Sequence, residues 1–183
     1  MRKKSAFSQE KYIKACRFAA EAHIGHKFEG TDIPYLFHIS LVSMEIIASL
    51  EVEEVRNPDL AVQCALLHDV IEDGHITYQQ LKKAFGWQVA DGLDALTKKD
   101  EVAKSHRLHE SIKRILIQPP EIHMVKLADH ISNLQPPPDN WPEEKKISYF
   151  DDSQLIYASL KNSSQYLADR LLLKINNYRS YIK

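Results

Sequence analysis

Apolar residues recur three or four positions apart along almost the whole chain, and no stretch alternates convincingly with a period of two. That is the spacing of helices with one buried face. The first stripe is Tyr12, Cys16, Ala19, Ala20 and His23, opened by Ser8 as N-cap and closed near Gly25. Residues 30–34 carry Gly, Thr, Asp and Pro and read as an ordered loop. A second helix is expected from about His38 to Leu50, and Pro58 fits the first turn of a third. Thr77 caps a short helix ending near Phe85-Gly86, and another runs from Trp87 to about Leu96. Leu108, Ile112, Ile115 and Leu116 mark the next, which Pro119-Pro120 ends. Glu121 to Leu134 reads as helix, stopped by Pro136-Pro137-Pro138. Pro142 opens a long helix through about Leu160, and Leu167, Leu171, Ile175, Tyr178 and Ile182 phase the last. There is no internal repeat, and three prolines are too few for an interdomain linker. The expectation is an all-α chain with one domain over residues 1–183, its core at about 8–160 and a C-terminal helix at about 163–182.

Composition agrees with a helical globule: 183 residues, 44% hydrophobic, with only 5 Gly. A chain of this size buries roughly 70% of its unfolded surface. The net charge of −1 gives no general reason to expect nucleic acid or an acidic membrane as partner. No apolar run approaches the length of a membrane span, and no apolar segment follows the basic start as a signal peptide requires. Cys16 and Cys64 lack metal-site spacing and read as free thiols, which suits a reducing cytoplasm.

The third helix breaks the pattern. Ala61, Ala65, His68 and Glu72 form one stripe, with Val62, Leu66, Asp69 and Asp73 beside it, so the periodicity carries the helix through Asp73. A face that begins apolar and ends in three acids and an imidazole is costly to bury by several kcal/mol unless compensated, and a divalent cation is one compensator. A solvated helix end is the alternative. Asp129 and Asn133 lie four apart, sharing a helix face with Val125, and His38 stands at a loop-to-helix junction. Each is weak alone. Together they supply two imidazoles and two carboxylates without a thiolate, a set suited to Mn²⁺, Fe²⁺ or Mg²⁺ with waters completing the shell rather than to tetrahedral structural zinc.

The order His38, His68-Asp69, Asp129 resembles the signature of the HD metal-dependent phosphohydrolases. Residues 30–38 (GTDIPYLFH), 65–73 (ALLHDVIED) and 125–134 (VKLADHISNL) resemble the hydrolase domain of RelA/SpoT-type proteins, and the similarity covers roughly residues 10–160. The resemblance implies a free-standing small alarmone hydrolase with an HD helical bundle. It implies one Mn²⁺ per chain on His38, His68, Asp69 and Asp129, with Fe²⁺ or Mg²⁺ as other possible ions. It assigns Glu72 and Asp73 to activating and placing the attacking water. Candidate substrate contacts are Lys27, Lys126, Asn133 and Tyr149. The implied reaction is hydrolysis of the 3′-pyrophosphate of a guanosine or adenosine tetra- or pentaphosphate, releasing pyrophosphate. The partner is thus a small phosphorylated purine nucleotide, and the oligomeric state stays open.

The chain departs from that pattern around the base. Where the family usually carries an Arg before its Gly-x-Pro-Tyr loop, counting back from His38 reaches Lys27, followed by Phe28 and Glu29. Lys is a hydrated point charge where Arg stacks and forks, so weak discrimination between guanine and adenine is expected. Phe28 supplies stacking or packing. His130 replaces the usual Arg or Lys after the Asp, and Gln135-Pro136 stand where an Arg and a Thr often follow. Several other features read as surface or core: His106 with His109, the loop histidine His75, and the basic stretch Lys98, Lys99, Lys104 and Arg107, interrupted by Asp100 and Glu101. Lys145, Lys146 and Tyr149, after Trp141, are second-tier candidates to close a pocket. Two other functions compete with alarmone hydrolysis. One is an HD nucleotidase or phosphodiesterase with another phosphorylated nucleotide. The other is a non-catalytic nucleotide sensor, which the complete tetrad with Glu72 and Asp73 argues against.

Overall fold

The computed structural model describes residues 6–74, 76–138 and 140–183, so His75 lies outside the described residues. Nine α-helices and no strand are found among them. They are α1 (Gln9–Ala22), α2 (Leu36–Val52), α3 (Pro58–Leu67), α4 (Tyr78–Phe85) and α5 (Trp87–Leu96), then α6 (Arg107–Leu116), α7 (Pro120–Asn133), α8 (Glu143–Leu160) and α9 (Gln165–Tyr178). None of the described helices is long and apolar enough to cross a membrane. Both cysteines are free.

Local chemistry sets most boundaries. The Ser8 hydroxyl accepts from the Lys11 amide at the start of α1, and Asn57 accepts from the Leu60 amide at the start of α3. Thr77 and Gln80 close a reciprocal capping box on α4. Pro58 and Pro120 occupy first turns, where the missing N–H costs nothing. α2 begins at Leu36, two residues before the expected start, which puts His38 in its first turn. α9 ends at Tyr178, short of the expected 182, and Ile182 still packs against the core.

One expectation fails outright. α3 stops at Leu67 instead of running on to Asp73, and residues 68–74 form tight turns, with Val70 N–H donating to the Leu67 carbonyl and Asp73 N–H to that of Asp69. Gly74 shows why the chain turns here. A Cβ at that position would lie 2.6 Å from the Val70 carbonyl and 3.1 Å from Ala22 Cβ, so only glycine lets the turn tuck under α1. Val70 stays buried, while Glu72 and Asp73 swing out to the surface.

α3 and α7 form the centre. α3 packs on α1, α2, α5 and α7, and most residues of both helices are buried; α3 is apolar nearly all round, whereas α7 also buries Glu121, Lys126 and Asp129. α9 packs on α2, α7 and α8, tied to α2 by Arg170 on Glu45. α5 reaches α7 at Gly92, where a Cβ would run into Ile122 Cδ1 and come within 3.4 Å of Cys64 Sγ. Ile122 is fully buried and has nowhere to yield. Gly92→Val is therefore expected to destabilise the protein by about 2–3 kcal/mol through overpacking. Thermal unfolding followed by circular dichroism should show a Tm lowered by several degrees; an unchanged Tm would mean α5 can slide away from α7.

Candidate active site

The first turn of α2, the C-terminal end of α3 and the last turns of α7 meet at one place, and each delivers its predicted polar residue there. His38 Nε2 and His68 Nε2 face each other at 3.1 Å. His68 Nε2 lies 2.9 Å from Asp69 Oδ2, and His38 Nε2 lies 3.5 Å from Asp129 Oδ1. The remaining imidazole–carboxylate separations are 3.8 and 3.9 Å. Adjacent donors on one ion at about 2.1 Å stand about 3.0–3.4 Å apart, so the His38, His68 and Asp69 atoms lie close enough to share a cation, with Asp129 Oδ1 next to them at 3.5 Å from His38.

The surrounding contacts aim those atoms inward. The second nitrogen of His68, Nδ1, lies 2.9 Å from the Ala65 carbonyl, which can only accept; Nδ1 therefore carries the proton and Nε2 is left to ligate. His38 Nδ1 meets Ser132 Oγ at 3.0 Å, a hydroxyl that holds the ring in place and can accept from Nδ1. The Tyr35 hydroxyl donates to Asp69 Oδ2. Lys126 Nζ donates to Asp129 Oδ2 at 3.0 Å, and Asn133 Nδ2 to Asp129 Oδ1 at 2.7 Å.

Electrostatics ask for a cation here. Burial works against a charged His68, yet Asp69 and Asp129 beside it raise the ring to about 9. Burial would likewise raise Asp69 and Asp129, but His68 holds the first below the usual carboxylate range and Lys126 the second. Two imidazole nitrogens 3.1 Å apart need a proton or a metal ion between them. With the half-buried Asp69 and the buried Asp129 to balance, the group of His38, His68 and Asp69 can hold a divalent metal, and Asp129 Oδ1 lies 3.5 Å from His38 Nε2 beside it.

Above this centre opens a cleft of about 700 Å³. Glu72, Asp73, Lys27, Lys126, Asn133 and Tyr149 all line it, so every predicted catalytic and substrate residue shares one space. Lys126 and Asn133 are spent in part on orienting Asp129. Lys27 is exposed and pairs with Asp32 at 2.5 Å. Burial, with Asp69 and Glu72 nearby, raises the Asp73 carboxyl. Lys98 closes on Glu72, its amide 3.4 Å from Oε2 and its ammonium 3.9 Å from Oε1. Of the basic stretch, only Lys98 lines the cleft; Lys99 pairs with Asp94 and Arg107 with Asp100.

Other residues go elsewhere. Phe28 stacks on the His38 ring, centroids 5.8 Å apart and planes 17° apart. His130 is buried behind Asp129 with Nδ1 3.3 Å from Ser153 Oγ, and burial lowers it to about 3, so the ring is neutral. His106 and His109 are exposed. Tyr35 on Asp69 and the wall of Glu29 and Trp141 were not assigned roles from sequence. Tyr35 lies three residues before His38, but no local signal shows that its hydroxyl reaches a residue 34 positions away.

Comparison with known proteins adds to this geometry. The protein-family description "HD domain" matches residues 15–165. A Danio rerio protein named guanosine-3′,5′-bis(diphosphate) 3′-pyrophosphohydrolase MESH1 is 26% identical over 166 residues, covering 87% of this chain and 89% of that protein. An Aquifex aeolicus guanosine-3′,5′-bis(diphosphate) 3′-pyrophosphohydrolase is 28% identical over 156 residues, which make up 82% of this chain but 21% of that larger protein. A solved structure described as a metazoan ortholog of SpoT that hydrolyzes ppGpp superposes with a TM-score of 0.81 at 22% identity, covering 94% of this chain and 98% of that one. That likeness establishes a common fold.

Proposed function

Since this chain belongs to the HD domain family, we propose that it is a metal-dependent phosphohydrolase that removes the 3′-pyrophosphate of guanosine tetra- or pentaphosphate, with one Mn²⁺ on His38, His68, Asp69 and Asp129. The observation that carries this reading is the convergence of those four side chains beneath a cleft that Glu72 and Asp73 also line. The names of the relatives support the choice of substrate. Residues 1–183 act as one HD unit in this reading, and its setting is the cytoplasm.

A divalent ion held by these residues would make a bound water more acidic and would polarise a P–O bond of the phosphorus under attack. The chain's own groups do the rest. Glu72, exposed at the cleft and not among the four donors, takes the proton from the attacking water. Asp73, beside it, orients that water. The bond between phosphorus and the 3′-oxygen breaks, the 3′-oxygen takes up a proton, and pyrophosphate leaves past Lys98 and Lys126. Tyr149 and Asn133 border the space left for the nucleoside.

The test is a panel of phosphorylated nucleotides given to metal-reconstituted protein, with products separated by anion-exchange chromatography. Guanosine 3′,5′-bis(diphosphate) should yield pyrophosphate and guanosine 5′-diphosphate. Inertness towards 3′-pyrophosphates together with phosphate release from nucleoside monophosphates would replace this reading with the nucleotidase one.

Tyr35 gives a second check. Its hydroxyl orients Asp69, and burial with Asp69 beside it raises the phenol far above its ordinary value, so it stays a donor. Tyr35→Phe should weaken metal binding about 10- to 100-fold while the fold persists. Titration against a chelator of known affinity measures this, and an unchanged affinity would show that Asp69 needs no such support.

A further inference from the structure

Residues 27–29 enter the cleft from one loop, and two of the three are accounted for. The Lys27 ammonium turns to Asp32, and Phe28 packs on His38. Glu29 is not accounted for. Its carboxylate lines the cleft and is held from two sides, Lys145 Nζ donating to Oε1 and the Tyr149 hydroxyl to Oε2 at 3.3 Å. Lys145 lies 4.0 Å over the Trp141 ring, and the Trp141 and Tyr149 rings are 4.8 Å apart. The loop is pressed against the proline run: a Cβ on Gly30, at φ 76°, would sit 2.9 Å from Pro138 Cγ. The carboxylate, its side chain 57% exposed, is thus held at the cleft rim beside a wall of Trp141, Tyr149 and Pro136–Pro138, aromatic and apolar groups that suit a base.

Resting on the reading that the substrate is a purine nucleotide, we propose that Glu29 selects guanine, with the base lying against that wall and its N1–H and 2-amino group donating to the carboxylate. A carboxylate has about four acceptor positions and no donor. Lys145 and Tyr149 occupy two, which leaves two for the ligand. Guanine presents two adjacent donors, a bidentate match of the kind carboxylates favour. Adenine presents one amino group beside a bare ring nitrogen, whose lone pair faces the negative oxygen. One bond is then lost and one repulsion gained. Base choice passes from residue 27, where the sequence pattern puts it, to residue 29.

The experiment has two arms. In the first, metal-free protein is titrated calorimetrically with guanosine, inosine and adenosine 5′-diphosphates; inosine keeps N1–H but lacks the 2-amino group. The expected order is guanosine, then inosine, then adenosine, with about 10- to 100-fold between the ends, and Glu29→Gln should collapse it to within a few-fold. In the second arm, kcat/KM for guanosine and adenosine 3′-pyrophosphates should show the same preference and the same collapse. Equal binding of the three diphosphates, or an order that Glu29→Gln leaves intact, would overturn the assignment of Glu29. An ordered binding series with neither 3′-pyrophosphate cleaved would uphold Glu29 and overturn the proposed reaction instead.

Discussion

Asp129→Ala is expected to lose the metal and the activity together. Asp129 is the one donor that α7 brings to the centre, and both its oxygens are committed: Oδ1 faces the two imidazoles and accepts from Asn133, and Oδ2 accepts from Lys126. Removing it leaves two imidazoles and one carboxylate, one negative charge short of balancing a divalent ion. It also strands the Lys126 ammonium, which burial alone would discharge and which Asp129 keeps charged. Breaking such a buried pair costs about 3–5 kcal/mol, so the alanine variant should melt earlier as well. Asp129→Asn separates the two effects, since it keeps the shape and one acceptor for Lys126 but gives up the charge. Elemental analysis of both variants should show well under one ion per chain, and turnover should fall below detection even where the asparagine form remains folded. A folded asparagine variant that still holds a full complement of Mn²⁺ would remove Asp129 from the ligand set.

The features legible in sequence were those decided within a few residues. Ser8, Thr77 and the prolines act on their own helix ends, and the expected positions of α1, α4, α5 and α6 hold to within a few residues. The order of the donors along the chain was enough to group them because three central helices end together. The failure at Leu67 is equally physical. Apolar periodicity continues through Val70 and Ile71, and no breaker intervenes before Gly74. What turns the chain is the close approach of Gly74 to Ala22, 52 residues away in sequence. The setting of Glu29 was invisible for the same reason, because Lys145 and Tyr149 lie 116 and 120 residues further on. Lys126 and Asn133 have a second use that the sequence did not show. Residues that read as substrate contacts also steady a buried carboxylate, since a buried acid needs donors as much as a phosphate does.

Glu72→Gln should keep the ion and slow turnover by about 10²–10⁴-fold, the usual worth of a general base. The turn that replaces the end of α3 makes this division of labour possible. Had the helix run on, Glu72 would have stood one turn above His68 and on its face; instead it sits exposed at the cleft, with no imidazole of the centre bonded to it and Lys98 as a basic partner among the described residues. Glutamine there retains the volume and can still accept from the Lys98 amide, so neither the fold nor the metal centre loses a contact it depends on. What it cannot do is take a proton from water. The expected signature is therefore a fall in kcat with KM and metal content little changed, the pattern of an interaction made only in the transition state. Asp73→Asn should be milder, because Asp73 orients the water and need not carry its proton. If Glu72→Gln releases the ion as readily as Asp129→Asn does, Glu72 is a ligand, and the base must be sought in Asp73.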